Sequence, residues 1–295
     1  MKKGCMLVVS VLVSMMMLAG TTDVSAHGEK RPVKKAVLLA AFGTTFAEAR
    51  KGFENVEAKT KEAFPGVEVR WAYTSKIVRN KLASEGKVYD SVETALSKLM
   101  DDGFTHVAVL SLQTIPGEEF HQLVENAHLF GQMVGGFDKI LVARPLLSSH
   151  EDMEKVGKAM LKNLPADRKP GDYVLLMGHG TEHHPADAIY LAVGQVFHDL
   201  DPQMYVGTVE GYPTVEDVAA KMDAKKSKKV YLMPFMAVAG DHAHNDMAGS
   251  EPDSWKSVLE KKGFACTPIM KGTVEYPEVI DIWIEHLKGV MAHLD

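Results

Sequence analysis

Two short segments concentrate histidine and carboxylate side chains directly after apolar runs. Residues 240–247 read Gly-Asp-His-Ala-His-Asn-Asp-Met and follow the apolar run 230–239. Residues 178–184 read Gly-His-Gly-Thr-Glu-His-His and follow the apolar run 173–177. Imidazole together with carboxylate suits borderline divalent metals such as cobalt, nickel, iron and zinc, and neutral imidazole also accepts a proton near neutral pH. Both segments therefore predict metal or proton chemistry.

Three of these side chains are predicted to form one open metal site. Glycines on both sides of His179 let the backbone turn tightly and leave the imidazole uncovered. Glu210 ends a further apolar run, 205–209, and His242 lies in the 240–247 segment. We expect His179, Glu210 and His242 to be metal ligands at adjacent strand ends, and the two histidines also to be catalytic.

Each of these assignments has an alternative that the residues alone leave open. Glu210 can be a solvated loop carboxylate. His242 and His244 can be a pair of histidines at a helix start, with Asp241 or Asn245 as the N-cap.

Five further polar residues are predicted to line the same cleft: Glu118, His121, His183, His184 and His244. For His183 and His184 a role in capping the next helix, with Pro185 in its first turn, is an equally good interpretation. The other histidines have no nearby partner in the sequence and are interpreted as structural or exposed; they are His27, His106, His128, His150, His198, His286 and His293.

The elements that position these residues are strands alternating with helical patterns. Alternation of this kind predicts an α/β fold of two similar doubly wound parallel-sheet halves facing a central cleft. Four apolar runs precede a helix predicted near 150–164 and four follow it; they are 36–43, 67–73, 106–112, 139–144, 173–177, 204–209, 229–236 and 265–270.

The two halves also align in detail, which predicts an internal duplication. Residues 113–121 follow the third predicted strand of the first half, and residues 236–244 follow the third of the second. In this alignment Glu118 matches Asp241, Glu119 matches His242, and His121 matches His244. We expect an N-terminal domain at 27–147 and a C-terminal domain at 148–295, with ligands bound beyond the carboxyl ends of the strands.

The first 26 residues are predicted to be a secretory signal peptide. Two lysines precede an apolar segment, 6–18, and small residues follow at 24–26. The segment is shorter than the roughly 20 residues needed to span a bilayer, and no later run reaches that length. We therefore expect a periplasmic protein without a membrane span. Cys266 is then the only cysteine of the mature chain, so an intramolecular disulfide is excluded.

The charge of the chain indicates which kinds of binding partner are favoured. The chain has 33 basic and 39 acidic residues, a formal charge of −6. Loss of Lys2, Lys3 and Asp23 with the signal peptide brings the charge to −7. This balance disfavours nucleic-acid binding and is compatible with a metal cation as guest. An α/β protein of this size can also self-associate as a homo-oligomer.

Three motifs in order resemble one known family. They are 178–187, Gly-His-Gly-Thr-Glu-His-His-Pro-Ala-Asp; 208–213, Thr-Val-Glu-Gly-Tyr-Pro; and 234–247, from Pro234 to Met247. Together they are similar to the anaerobic cobaltochelatases that metallate sirohydrochlorin, within the class II chelatases. The resemblance covers the mature chain and implies ATP-independent insertion of Co²⁺, or of Fe²⁺, into a tetrapyrrole for cobalamin or sirohaem.

The resemblance assigns a role to each residue of the predicted site. Metal insertion displaces two pyrrole protons, and an imidazole with a pKa of about 6.5 is a suitable acceptor. His179 and His242 would hold the ion and then accept protons, with Glu210 balancing charge. His121 departs from the family pattern, and is interpreted either as a base facing the ring or as an axial ligand of haem.

Two other functions remain as alternatives. A periplasmic carrier of metal or of a tetrapyrrole such as haem needs the same histidines without turnover. A metal-dependent hydrolase is suggested by His242-Ala-His244-Asn-Asp246, which is similar to part of the metallo-β-lactamase pattern. Met247 stands where that pattern has another histidine, and the α/β order does not fit that fold, so the hydrolase is disfavoured.

Overall fold

The structure, a computed structural model, describes residues 31–294. The predicted signal peptide and His27 lie outside the described residues. Among those that are described, no helix is both long and apolar enough to cross a bilayer.

All eight predicted strands are confirmed, with their ends displaced by two residues at most. They are β1 (Lys35–Ala41), β2 (Glu68–Tyr73), β3 (His106–Ser111), β4 (Lys139–Ala143), β5 (Tyr173–Gly178), β6 (Met204–Thr208), β7 (Lys229–Pro234) and β8 (Ala265–Pro268).

Helices occupy the connections, as the alternation predicts. They are α1 (Ala47–Ala63), α2 (Lys76–Ser84), α3 (Val92–Asp101), α4 (Glu118–Gln132), α5 (His150–Lys162), α6 (Ala188–Leu200), α7 (Val215–Ala219), α8 (Trp255–Lys261) and α9 (Pro277–Met291). Short helical turns lie at Pro185–Asp187, Ala243–Met247 and Thr273–Glu275.

The strands form two parallel four-stranded sheets with the same topology. Their orders are β2-β1-β3-β4 and β6-β5-β7-β8. Every described pairing is parallel. This confirms the predicted fold class of two similar doubly wound halves, and the repeated strand order supports the predicted duplication.

Strand periodicity explains why helices cover both faces of each sheet. In β1, Val37, Leu39 and Ala41 pack into one core cluster, whereas Leu38 and its neighbours at even positions pack into another. Alternate residues of a strand point to opposite faces, so each wholly apolar strand needs cover on both sides. One of these clusters is continuous from the first sheet to the second, and it includes α9.

The C-terminal helix joins the two halves. Residues from Val33 onward form one compact unit. Within it α9 packs against α5 and also against α1, β3 and β4 of the first half. The division into 27–147 and 148–295 stays a prediction. α9 belongs to the second range by sequence but packs against elements of the first.

A buried hydrogen bond between His286 and Asp152 holds α9 against α5. His286 Nε2 lies 3.0 Å from Oδ1 of Asp152 on α5, and both side chains are almost fully buried. His286 Nδ1 lies 3.2 Å from the carbonyl oxygen of Arg144, and the Arg144 guanidinium lies 3.1 Å from the same Asp152 oxygen. His286 is therefore structural, as the sequence predicts.

Asp152→Asn should lower the unfolding free energy near neutral pH by about 2 kcal/mol, because a charged hydrogen-bonded partner of His286 is lost. Burial alone raises the pKa of the Asp152 carboxyl, but hydrogen bonds from His286 and Ser149 and the charge of Arg144 outweigh it, so the pKa is lowered from 3.8. A lowered pKa stabilises the fold above 3.8 and ceases to do so as pH falls through the folded value. Urea unfolding at several pH values should therefore show the cost of the variant shrinking in acid; a constant cost would contradict the role given to the charge.

Candidate active site

A single cleft lies where the carboxyl ends of both sheets meet. Its volume is about 430 Å³, within the range of small-molecule sites. The first half contributes segments after β1 and β3, and the second contributes segments after β5, β6 and β7. The lining segments are 42–46, 112–115, 117–120, 179–181, 236–238 and 240–242. Three single residues also line the cleft, namely Val78, Tyr190 and Glu210.

His179 is held on a loop that accepts only glycine beside it. Gly180 has a φ of +81°, and a Cβ there would lie 1.5 Å from the carbonyl oxygen of Glu210. The Glu210 amide donates to the carbonyl of His179 at 2.7 Å, and the Val209 amide donates to that of Gly178 at 3.0 Å. The β5 and β6 loops are thus joined by backbone hydrogen bonds at the point where each carries a predicted ligand.

The three predicted metal ligands come together from adjacent strand ends. The ring centroids of His179 and His242 are 4.8 Å apart in an edge-to-face arrangement. Oε2 of Glu210 lies 3.9 Å from Nδ1 of His179. Among residues 31–294 no group of three or more histidine, cysteine or acidic side chains is already arranged to hold a metal ion. Ligation by these residues therefore stays a prediction.

Both histidines are oriented through Nδ1. His179 Nδ1 lies 2.9 Å from the carbonyl oxygen of Gly180, so it carries the proton and donates. His242 Nδ1 lies 2.8 Å from Oδ2 of Asp246. In each neutral ring Nε2 is left with its lone pair, and a carboxylate bonded to the opposite nitrogen makes an imidazole a better ligand and base. The sequence segment contains Asp246, and its spacing of four from His242 in a helical turn is the signal that could have identified its role.

The alternative of a helix start at His242 is partly correct. Asp241 and His242 begin a helical turn that continues as Ala243–Met247, but the His242 side chain forms no cap hydrogen bond. His242 also lines the cleft. Its place in a helical turn and its place in the site are therefore compatible.

Glu119 brings a carboxyl group from the first half to the same cleft. Partial enclosure by the cleft raises the pKa of Glu119, although its side chain still reaches solvent. The nearby His179 and a hydrogen bond with Gln113 lower this pKa in part, and the net change is upward. A raised pKa brings a carboxyl group closer to the neutral range in which it can exchange protons. The duplication alignment matches Glu119 with His242. The hydrogen bond from His121 N to Gly117 O in the first half has its equivalent in the bond from His244 N to Gly240 O in the second half.

Ionisation of Glu119 should destabilise the folded protein as pH rises, and the Glu119→Gln variant should not show this effect. With a raised pKa the folded protein binds more protons than the unfolded chain between 4.5 and the folded value, so the unfolding free energy falls as pH rises through that interval. The amide cannot ionise. Urea unfolding at about pH 4 and about pH 8 should show the variant gaining stability relative to the unsubstituted protein at the higher pH; equal changes in both proteins would contradict the effect of burial.

Of the five further residues assigned to the cleft, only Glu118 lines it. His121 and His184 contact each other, with 3.2 Å between Nδ1 and Nε2. Nδ1 of His184 accepts the Ala186 amide and caps the turn Pro185–Asp187, which confirms the capping alternative for this residue.

The other two histidines of that set also lie outside the lining. His183 is almost fully exposed, and its nearest charged partner is Glu182 at 3.7 Å. His244 stacks on Phe46 at 4.2 Å between ring centroids. Because Phe46 lines the cleft, the exposed ring of His244 contacts one residue of its wall.

Comparison with known proteins identifies the fold and the family that this chain resembles. The model of the cobalt chelatase (CbiK) family matches residues 35–292. Sirohydrochlorin cobaltochelatase CbiKC of Nitratidesulfovibrio vulgaris is 42% identical over 262 residues, which cover 89% of this chain and 92% of that protein. Sirohydrochlorin cobaltochelatase of Salmonella typhimurium is 34% identical over 257 residues, covering 86% and 96%.

One solved structure supports the architecture. SirB from Bacillus subtilis with Fe³⁺ superposes with a TM-score of 0.58, covering 89% of this chain and 99% of that one. The sequence identity is 14%, so this likeness bears on the fold alone.

Proposed function

The chain belongs to the cobalt chelatase (CbiK) family, and we propose that it inserts Co²⁺ into sirohydrochlorin without ATP. The observation that carries the proposal is the pair of imidazoles, His179 and His242, at 4.8 Å in the cleft between the two halves. The relatives described above, at 42% and 34% identity, are named sirohydrochlorin cobaltochelatases. Fe²⁺ is proposed as a second metal substrate.

The charges of the cleft suit a metal cation as substrate. Four carboxylate residues line it, namely Glu118, Glu119, Glu210 and Asp241, and no lysine or arginine is among the described lining residues. A cleft of one charge sign raises the local concentration of the opposite ion. Apolar wall residues, including Phe42 and Phe46, offer a surface for the face of a tetrapyrrole ring.

Metal insertion releases two pyrrole protons for each divalent ion taken up. The Nε2 atoms of His179 and His242 can first bind the ion and then accept protons as ring nitrogens replace them. Glu119, with its raised pKa, is a third proton acceptor from the facing half. Three imidazole or carboxylate ligands leave coordination positions open, and such an open set can release the ion to the ring.

The test is the visible spectrum of sirohydrochlorin mixed with Co²⁺ and catalytic amounts of protein, with ATP omitted. We expect many equivalents of metallated product for each protein molecule, and a parallel reaction with Fe²⁺. If no more than one equivalent of metallated product formed for each protein molecule, the protein would be a carrier and not an enzyme. A requirement for ATP would contradict the ATP-independent reaction.

Haem ligation by His121 is a separate proposal, which rests on the exposure of this imidazole outside the cleft, and its contact with His184 must break for ligation to occur. Because Nδ1 of His184 accepts the Ala186 amide, Nε2 of His184 carries the proton and donates to Nδ1 of His121. Neutral His121 then carries its own proton on Nε2, so ligation through Nε2 requires the contact to break. In haem titrations followed by Soret absorbance, His184→Ala should bind haem more tightly and His121→Ala should not bind it; no Soret band in any variant would exclude haem.

Export to the periplasm is also proposed, from the pattern of residues 1–26. An exported member of this family would receive its tetrapyrrole outside the compartment in which the ring is assembled. N-terminal sequencing of the protein from a periplasmic fraction should begin at His27. An intact N-terminus in the cytosol would contradict export.

A further inference from the structure

We propose that Asp187 is a positioning residue that fixes the separation between His179 and Glu210. The inference rests on the proposed function, which makes these two residues part of one metal site. Asp187 Oδ1 accepts the backbone amide of Thr181 at 3.1 Å, and Oδ2 accepts that of Tyr212 at 2.9 Å. Thr181 lies two residues after His179, and Tyr212 lies two residues after Glu210. One carboxylate therefore connects the two loops that carry His179 and Glu210, which are called the ligand loops below.

Both oxygen atoms of the Asp187 carboxylate bond outside the helix that contains the residue. Asp187 ends the turn Pro185–Asp187, which His184 caps and which continues directly into α6, and its φ of −55° and ψ of −34° are helical. Here it forms no cap hydrogen bond with α6. Its two oxygen atoms bond instead to amides of the loops that follow β5 and β6.

The fit between Asp187 and the Glu210 loop is close. Gly211 has a φ of +107°, and a Cβ at this position would lie 2.5 Å from Oδ1 of Asp187. The carboxylate therefore rests directly on the backbone beside Glu210. Only glycine avoids both the strained backbone and the clash.

Asp187 completes a two-sided attachment of the ligand loops. On the strand side, the amides of Val209 and Glu210 donate to the carbonyls of Gly178 and His179. On the far side, Asp187 joins Thr181 to Tyr212. The backbones of His179 and Glu210 form part of the first attachment, and the second lies two residues beyond each of them. Replacing a residue that orients metal ligands typically changes metal affinity about 10–100-fold.

The test compares Asp187→Asn with Asp172→Asn. Asp172 likewise joins two segments, accepting the Lys169 amide at 2.9 Å and the Ser227 hydroxyl at 3.1 Å. It lies just before β5, at the opposite end of the same strand from His179. Both substitutions keep the side-chain shape and remove a charge, so the control reports the general cost of losing such a carboxylate.

Two measurements are made on each protein without tetrapyrrole. Hydrogen exchange is followed in peptides covering 178–182 and 209–213, and Co²⁺ binding is followed by the visible absorption of the ion. For Asp187→Asn we expect faster exchange in both peptides, Co²⁺ binding weakened about 10–100-fold, and an altered Co²⁺ spectrum. For Asp172→Asn we expect neither change at the cleft.

Unchanged Co²⁺ affinity in Asp187→Asn would overturn the proposal, as would faster exchange in only one of the two loops. If the unsubstituted protein binds no Co²⁺, the ligand set of the proposed function fails, and exchange of the two loops then decides the role of Asp187 separately. If Asp187→Asn does not fold, Asp187→Ser is measured in the same way, because serine removes the carboxylate and keeps a small polar side chain.

Discussion

Replacing His242 by alanine should slow Co²⁺ insertion into sirohydrochlorin by about 10²–10⁴-fold, the usual contribution of a positioned acid–base group. The variant loses both an Nε2 ligand and a proton acceptor, and it leaves Asp246 without its partner at 2.8 Å. His179→Ala should have an effect of the same size, because the two rings occupy one site. The measurement is the initial rate of metallation under saturating Co²⁺ and tetrapyrrole.

The matched control for this prediction is His150→Ala. His150 begins α5, and its exposed ring lies 3.9 Å from the carboxylate of Glu154, outside the cleft. It should retain the full rate. If His242→Ala kept more than about a tenth of the rate, a role as base would be excluded. If the double variant lost as much as the sum of the two single losses in free energy, the histidines would act independently and not as one unit.

Gly180→Ala should lower the unfolding free energy by about 4 kcal/mol, at the upper end for a single substitution, and should abolish metallation. Alanine at a φ of +81° is strained, and its Cβ would have to displace the Glu210 carbonyl, 1.5 Å away. The hydrogen bonds that join the β5 and β6 loops would then break. The expected result is a large fall in the urea midpoint together with loss of Co²⁺ binding.

Gly171→Ala separates backbone strain from the clash. Gly171 has a φ of +95°, and a Cβ there would contact no atom within 4 Å. This variant should cost only about 1–2 kcal/mol, the strain of the left-handed conformation, and should keep its activity. Equal destabilisation by the two substitutions would show that the loop around Gly180 adjusts, contrary to the close approach described here.

The features predictable from the sequence are those that depend on local pattern. Apolar runs bounded by polar residues fixed the strands, because a strand covered on both faces must be apolar throughout. The carboxyl ends of parallel strands meet at one edge of a sheet, so the sequence alone predicts that His179, Glu210 and His242 lie close together. Proline at 185 and a polar residue before it also made the cap by His184 predictable.

The features that could not be predicted from the sequence depend on contacts between distant segments or on enclosure by the cleft. The contact between His121 and His184 joins residues 63 positions apart and depends on how the halves meet. The raised pKa of Glu119 depends on its enclosure by the cleft. Asp187 looks like an ordinary helix-start aspartate until the Thr181 and Tyr212 amides are seen bonded to it. No local pattern encodes these three relationships.

The measurement that tests the site most directly is a cobalt anomalous difference map from a crystal of the protein soaked in Co²⁺. We expect one dominant peak bonded to Nε2 of His179 and Nε2 of His242, with a Glu210 oxygen completing the set, and its loss in a His242→Ala crystal. A peak at His121 and His184 with none between His179 and His242 would contradict the assignment of the cleft as the site of metal insertion.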